Sequence, residues 1–192
     1  FMHADSWAIK AKKLGLRSRA VFKLEEILSR TKALKKNSLV LDIGSAPGGW
    51  SELVKALTPS SNIYAIDLLP MDPIEGVHFF QKDVLNIDEI KDIFLLKSKF
   101  NLVISDLAPN LTGIRAVDEE NIFELNIITL RVAVNYLCKS NGAFIMKSFQ
   151  NSMLKKLRIE MENNFNLVQT YKPAASKSKS GEIYLYGEMP KW

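Results

Sequence analysis

Three observations predict an α/β fold, a Rossmann-like, doubly wound and mostly parallel sheet with an antiparallel last strand. Short apolar runs alternate with segments of helical spacing along most of the chain. The runs are almost continuously apolar, as strands covered by helices on both faces must be. The first run, "SLVLDI", passes straight into a glycine-rich turn, "GSAPGGW", where such sheets open backbone N–H groups to a ligand. At 192 residues the chain fits one domain with a substantial core. Residues 1–192 are therefore expected to form a single domain, with 1–30 a basic helical segment packed on it.

The elements follow in order. A first helix is expected near Ser18, a good cap, with Val21, Leu24, Ile27 and Leu28 on one face. "SLVLDI" is a buried strand and Gly49 to Leu57 a helix. "NIYAI" and "VHFFQ" are the next strands, and "IDEIKDIFLL" has helical spacing. Strand "FNLVIS", a long helix "NIFELNIITLRVAVNYLCK" and strand "GAFIMK" come next. The last third reads helix "MLKKLRIEMENN", strand "FNLVQTY", a basic loop and strand "EIYLYG". The loop "KPAASKSKSG" is too short for a helical crossover, so the strands beside it should be antiparallel neighbours.

Composition excludes several classes. No apolar run approaches the length of a membrane-spanning helix, so a soluble protein is expected. The chain opens on Phe1, which suggests a trimmed N-terminus; a targeting segment could have preceded it. A single cysteine, Cys138, rules out an internal disulfide, and its apolar surroundings suggest a buried structural thiol. His3 and His78 are too scattered for a zinc site, so no metal is expected. The net charge of +5 is unevenly spread. Lys10, Lys12, Lys13, Arg17, Arg19 and Lys23 crowd the opening segment, and Lys172, Lys177 and Lys179 the closing loop. Such runs serve either as solvated faces or as a surface for a polyanion.

The glycine spacing narrows the ligand. A dinucleotide turn needs G-x-G-x-x-G, and a phosphate loop needs Gly-Lys-Ser/Thr. Here Gly44, Gly48 and Gly49 are followed by Trp50, so both phosphate readings lose their key residues. Asp67 ends the second strand 23 positions after Gly44, where a carboxylate can accept both ribose hydroxyls. Asp83 follows the third strand, where a carboxylate can receive an adenine amino group. Alone, each aspartate is as readily a helix cap or a solvated acid. At successive strand tips beside the turn they describe an adenosine site.

"LDIGSAPGGWS", "AIDLLPMDPIEGV", "VISDLAPN" and "FIMKSFQ" occur in this order, between "KKLGLRSRAVFKLEEI" and "SKSGEIYLYG". In these segments the chain resembles the FtsJ/RrmJ family of RNA ribose 2′-O-methyltransferases over nearly its whole length. The resemblance implies S-adenosyl-L-methionine held by Gly44, Ser45, Ala46, Pro47, Gly48, Gly49 and Trp50, by Asp67 with Leu68, and by Asp83 with Val84. Asp106 lies near the methyl donor. It also implies a catalytic tetrad of Lys23, Asp106, Lys147 and Glu182, and all four positions match.

These residues suit the chemistry. A ribose hydroxyl is a weak nucleophile and needs a base or a strongly polarising contact. Asp106 and Lys147 end adjacent strands, and a lysine after four apolar residues is poorly explained as a snorkelling surface group. Two lysines in one crevice repel, which favours an uncharged amine on one of them, the form that accepts a proton. Lys147 is the expected acceptor, with Lys23 and Glu182 fixing it and the ribose. Amino-group methylation would call for a second proline and an aromatic after the Asp, which "SDLAPN" lacks. Pyrimidine C5 methylation would need a cysteine nucleophile, and Cys138 sits in the helical pattern.

The basic segments, with Lys12, Lys13, Arg17, Arg19, Lys177 and Lys179, flank the expected crevice and suit an RNA backbone. Few aromatics stand outside the core pattern, so recognition through shape and phosphates is expected. "DLLPMDPIEGV" looks most like members acting on large-subunit ribosomal RNA, with a uridine ribose as acceptor. A transfer RNA or cap ribose methyltransferase, and a non-catalytic RNA-binding assembly factor, remain open. The expected partner is ribosomal RNA in a large-subunit particle, with the protein itself a monomer away from membranes. The expected compartment is the cytoplasm of a bacterium, or an organelle or the nucleus of a eukaryote.

Overall fold

Seven strands line up in one sheet because each carries an apolar face that its neighbours and the flanking helices remove from water. The computed structural model describes residues 5–177 and 179–191; His3 and the rest of residues 1–4 lie outside them. The elements are α1 (Ser6–Lys13), α2 (Val21–Thr31), β1 (Leu39–Ile43), α3 (Gly49–Leu57), β2 (Asn62–Asp67) and β3 (Val77–Gln81). They continue with α4 (Lys91–Phe94), β4 (Leu102–Ser105), α5 (Arg115–Tyr136), β5 (Ala143–Phe149), α6 (Leu154–Asn164), β6 (Phe165–Tyr171) and β7 (Glu182–Pro190). The sheet order is β3-β2-β1-β4-β5-β7-β6. Pairs β1–β2, β1–β4, β2–β3 and β4–β5 are parallel. β7 inserts between β5 and β6, antiparallel to both.

Two apolar cores sandwich the sheet. Leu41, Ile43, Phe100, Phe144 and Leu185 belong to the layer under α5 and α6. Val40, Ile104, Ile145 and Tyr184 belong to the layer under α2 and α3. The alternation along β1 and β4 sends successive side chains to opposite layers, as the period of two requires.

Four expectations change in detail. The opening segment is two helices. Asp5 caps α1 by accepting from the Trp7 N–H at 3.0 Å, and α2 starts at Val21 rather than at Ser18. The Ser18 hydroxyl oxygen accepts from the Ala20 N–H just ahead of it. The spacing of "IDEIKDIFLL" resolves into a 3-10 segment, Val84–Glu89, and the single turn α4. Ile87, Ile90 and Ile93 are all buried. A spacing of three fits a 3-10 turn as well as an α-helix, and the extended backbone of Ile90 breaks the run. Lys147 lies two residues inside β5 rather than at its end.

Finally, α5 runs from Arg115 to Tyr136, so Cys138 lies beyond the helix instead of within it. Leu137 turns extended, and the Cys138 N–H donates to the Phe100 carbonyl at 2.8 Å. The thiol is half-buried rather than buried and pairs with the Ser140 hydroxyl, which draws its pKa below the usual thiol value.

Candidate active site

The glycine turn follows β1 at the C-terminal edge of the parallel strands, where ligands of such sheets bind. Gly44 has φ +76°, and a Cβ there would meet the Leu107 side chain at 2.4 Å. Gly48 has φ +111°, and a Cβ would meet Ile74 at 2.8 Å. Both positions are in the left-handed region, which favours glycine, and a Cβ would in addition displace neighbouring side chains. Gly48 leads into α3 with no side-chain cap.

Asp67, the last residue of β2, braces the turn. Its carboxylate accepts from the Ala46 N–H and the Leu69 N–H, each at 2.9 Å. Each oxygen keeps a second lone pair for a ligand hydroxyl. A cavity of about 350 Å³ opens beside it, lined by Gly44, Asp67, Leu68, Asp83, Val84 and Leu107 among others. Asp83 also caps the 3-10 segment by accepting from the Leu85 N–H at 2.9 Å. A capping role and a ligand-facing role thus coexist in one carboxylate. A larger hollow of about 520 Å³, between α5 and α6, contains none of the expected site residues.

Whether this turn fits S-adenosylmethionine can be judged from its polar atoms. Asp42 on β1 is buried, accepts from the Ser51 hydroxyl at 2.7 Å, and leaves Oδ1 with no partner. The Ser45 hydroxyl is likewise buried and unpartnered. Burial lifts the Asp42 carboxyl to about 7; Ser51 counters this, while Asp106 and Asp67 add to it. A positively charged, hydrogen-bonding ligand is what three neighbouring acids with an idle oxygen would accommodate. An adenosine-sized cavity, a ribose-type acid and the acidic neighbourhood around the turn all fit the group. Trp50 contributes differently, because its side chain is turned inward. Its indole N–H donates to the Ala20 carbonyl at 2.8 Å and its ring lies 5.8 Å from Tyr184. A ligand can meet only its backbone.

The four tetrad positions meet in one crevice beside that cavity. Lys147 Nζ lies 3.4 Å from Asp106 Oδ1, and Lys23 Nζ donates to Glu182 Oε1 at 2.5 Å. β4, β5 and β7 deliver them, since Ser105 pairs with Met146 and Phe149 with Glu182 across the ladders. α2 supplies Lys23, which is buried with only 5% of its surface exposed. Burial pushes Glu182 up, but hydrogen bonding and charge from Lys23, the Lys147 charge and the Ser176 hydroxyl outweigh it. Its carboxyl is held below the usual glutamate value.

Three polar side chains of this crevice escape sequence reasoning. The Tyr184 hydroxyl donates to Asp106 Oδ1 at 2.8 Å. Its pKa is driven far up by burial and by the Asp106 and Glu182 charges, so it stays a donor. Buried Asn126 on α5 donates to the Lys147 carbonyl at 2.9 Å and accepts from the Ser148 hydroxyl at 2.8 Å, clamping the strand under Lys147. Asp42 is the third. Each carries a detectable sign: an acid inside "LVLDI", an amide on an apolar helix face, and a tyrosine two positions after Glu182 on a strand.

The basic residues divide. Lys12, Lys13, Lys177 and Lys179 are exposed. Arg17 is committed internally: its guanidinium donates to Glu52 and to the Pro47, Asp72 and Pro73 carbonyls. It ties the glycine turn to the loop after β2. Arg19 pairs with Asp5 and fastens α1. Neither arginine is left free as the sequence suggested, because each finds acceptors from distant segments. Among the described residues no helix is long and apolar enough to cross a membrane.

The FtsJ-like methyltransferase family model matches residues 16–189. A curated relative from Buchnera aphidicola, named ribosomal RNA large subunit methyltransferase E, is 40% identical over 94% of this chain and 88% of its own. One of the same name from Dechloromonas aromatica is 39% identical over 95% and 90%. Among solved structures, a protein described as a ribosomal RNA methyltransferase from Plasmodium falciparum superposes with a TM-score of 0.81. It is 30% identical and covers 91% of this chain and 100% of that one. Human methyltransferase-like protein 13 with SAH, at 12% identity and a TM-score of 0.63, shares the fold. With matching motifs, fold and relatives together, the chain belongs to the FtsJ-like methyltransferase family.

Proposed function

We propose that this protein methylates a ribose 2′-hydroxyl, most specifically a uridine of large-subunit ribosomal RNA, using S-adenosyl-L-methionine. The observation that carries the reading is the convergence of Lys23, Asp106, Lys147 and Glu182 beside the adenosine-sized cavity. The names of the relatives support ribosomal RNA as the acceptor. Bound in the cavity, S-adenosylmethionine supplies a methyl group on an electrophilic sulfonium.

The chain's own residues align the acceptor and take one proton. Asp67 and Asp83 hold the adenosine end, and the negative field of Asp67, Asp106 and buried Asp42 favours the cationic end. Lys147 accepts the proton of the 2′-hydroxyl, and Asp106, fixed by Tyr184, orients its amine. Lys23, already neutralised by Glu182, donates to the ribose without competing for that proton. The exposed Lys12, Lys13, Lys177 and Lys179 meet phosphates. We further propose one catalytic domain acting as a monomer, in the cytoplasm of a bacterial cell.

Tritiated methyl incorporation tests the reading. Purified protein should label large-subunit particles from cells lacking the activity, at a ribose 2′-oxygen. Label in total transfer RNA instead would move the substrate. Binding without any label would make the protein an assembly factor.

A further inference from the structure

Aromatic and charged side chains gather at one further place that the reaction does not use. Trp7 on α1 and Phe22 on α2 meet with ring centroids 5.2 Å apart and planes inclined by 46°. A cavity of about 210 Å³ opens beside them, lined among others by Lys10, Glu25, Glu26 and Ala174. Lys10 Nζ stands 5.3 Å from the Trp7 centroid and 4.8 Å from that of Phe22. Trp7 is half-buried, and Lys10 and Glu25 are exposed. Glu26 is already engaged, accepting from the Ala174 N–H at 3.2 Å and lying 3.7 Å from Arg30. Glu25 is thus the carboxylate open to a ligand.

The cavity adjoins the crevice. Phe22 and Lys23 are consecutive on α2, and the second is a tetrad residue. Ala174 is fastened to Glu26, and Ser176, two positions on, donates to Glu182 at 3.1 Å. One wall, α2 with the 173–176 turn, therefore separates the cavity from the tetrad. A short α-helix such as α1 needs a tertiary anchor, and Trp7 provides it. Anchoring alone does not account for a cavity with an aromatic wall, an exposed cation and an open carboxylate.

Those three features select one base. Unstacked RNA bases are held on aromatic faces and read along their edges. Guanine alone offers two adjacent N–H donors, N1–H and the 2-amino group, to the two oxygens of one carboxylate. Its O6 and N7 are acceptors for an ammonium. Uracil has a single N–H donor, and adenine and cytosine have an amino group with no N–H beside it. We propose that this cavity takes an unstacked guanine of the RNA substrate, its face on Trp7, its donor edge on Glu25 and its O6/N7 edge on Lys10. The proposal rests on the RNA reading above. It replaces recognition by shape and phosphates alone, since the two aromatics meet only in the folded chain.

The test uses the intact protein saturated with S-adenosylhomocysteine, so that the adenosine cavity is closed to other nucleotides. Titrations with GMP, IMP, AMP, UMP and CMP follow the Trp7 indole N–H by nuclear magnetic resonance, assigned through Trp7→Phe. GMP should shift this signal saturably. IMP, lacking only the 2-amino group, should bind at least threefold more weakly, and the other three more weakly still. Glu25→Gln should erase the GMP-over-IMP preference and raise KM for RNA several-fold more than it alters kcat. Calorimetric titration with GMP, which needs no indole signal, reads the Trp7 variants: Trp7→Leu keeps an apolar anchor for α1 and should lose GMP binding, which Trp7→Phe retains. Equal responses to all five nucleotides, or a GMP preference that survives Glu25→Gln, would overturn the assignment. RNA methylation without any GMP preference overturns this pocket alone and leaves the reaction standing. A GMP preference in a protein that methylates no RNA overturns the reaction, and with it the RNA part of the proposal.

Discussion

The Tyr184 hydroxyl donates to the same Asp106 oxygen that Lys147 approaches, at 2.8 Å and 3.4 Å respectively. A buried neutral donor thus fixes one side of the carboxylate and leaves its orientation toward Lys147 defined. Tyr184→Phe keeps the packing against Trp50 and removes only that hydrogen bond. A bond to a charged group contributes about 1.5–3 kcal/mol, so the single-turnover rate should fall roughly tenfold or more, with cofactor affinity unchanged. An unaltered rate would show that Lys147 alone positions Asp106.

Lys147→Ala should reduce methyl transfer by roughly two or more orders of magnitude if the amine accepts the ribose proton. Cofactor affinity should hold, because the adenosine cavity is lined from β1, β2 and the segments after β3 and β4. Lys147→Arg should be nearly as inactive, since a guanidinium does not give up its proton. Single-turnover rates of the three proteins on one RNA settle the role. Near-normal turnover by the arginine variant would mean that charge and position suffice.

Asp67→Ala should weaken cofactor binding by on the order of a few kcal/mol while RNA binding persists. The loss has two sources, the ribose contacts and the brace on the Ala46 N–H. Calorimetry with S-adenosylmethionine measures the sum. Unchanged affinity would remove Asp67 from the site.

Asp42 makes stability depend on pH in an unusual direction. Its folded-state pKa of about 7 lies above the 3.8 of a solvent-exposed aspartate. Below 3.8 the acid is protonated in both states and costs nothing. As pH rises from there to 7, the unfolded chain loses the proton first, so stability falls, by up to roughly 4 kcal/mol. Asp42→Asn should therefore be more stable than the parent near pH 8 in denaturant titrations without ligand, and nearly equal to it near pH 4. It should also bind S-adenosylmethionine more weakly. Equal stability of the two proteins at pH 8 would show that Asp42 ionises freely in the fold.

Replacing Lys12 and Lys13 by Gln should weaken RNA binding and flatten the slope of log affinity against log salt, by about one unit per lost phosphate contact. Arg17→Gln should behave differently. Its guanidinium joins Glu52 to three backbone carbonyls, so the main effect should be a lower Tm and weaker cofactor binding. An unchanged salt slope in the lysine variant would leave those charges as a solvated face.

The sequence by itself determined the strand–helix alternation and the glycine turn, and its resemblance to a family implied the four proposed tetrad positions. The first two are local matters: apolar periodicity and backbone conformation announce themselves within a few positions, whereas Lys23 sits on a helix and Lys147 inside β5. Helix boundaries near Ser18 and Asn121 were less legible, since capping side chains compete with tertiary packing for the same ends. Tertiary structure alone decided which partner each polar group found. Glu182 reaches Lys23 from 159 positions away and Tyr184 reaches Asp106 from 78, and no spacing announces either. The same holds for Arg17, whose basic neighbourhood suggested phosphate while the fold supplied carbonyls. It holds again for Trp7 and Phe22, which become one aromatic wall only when α1 docks on α2. Pairings of this kind depend on distances through space, and those exist only once strand order has placed β7 between β5 and β6.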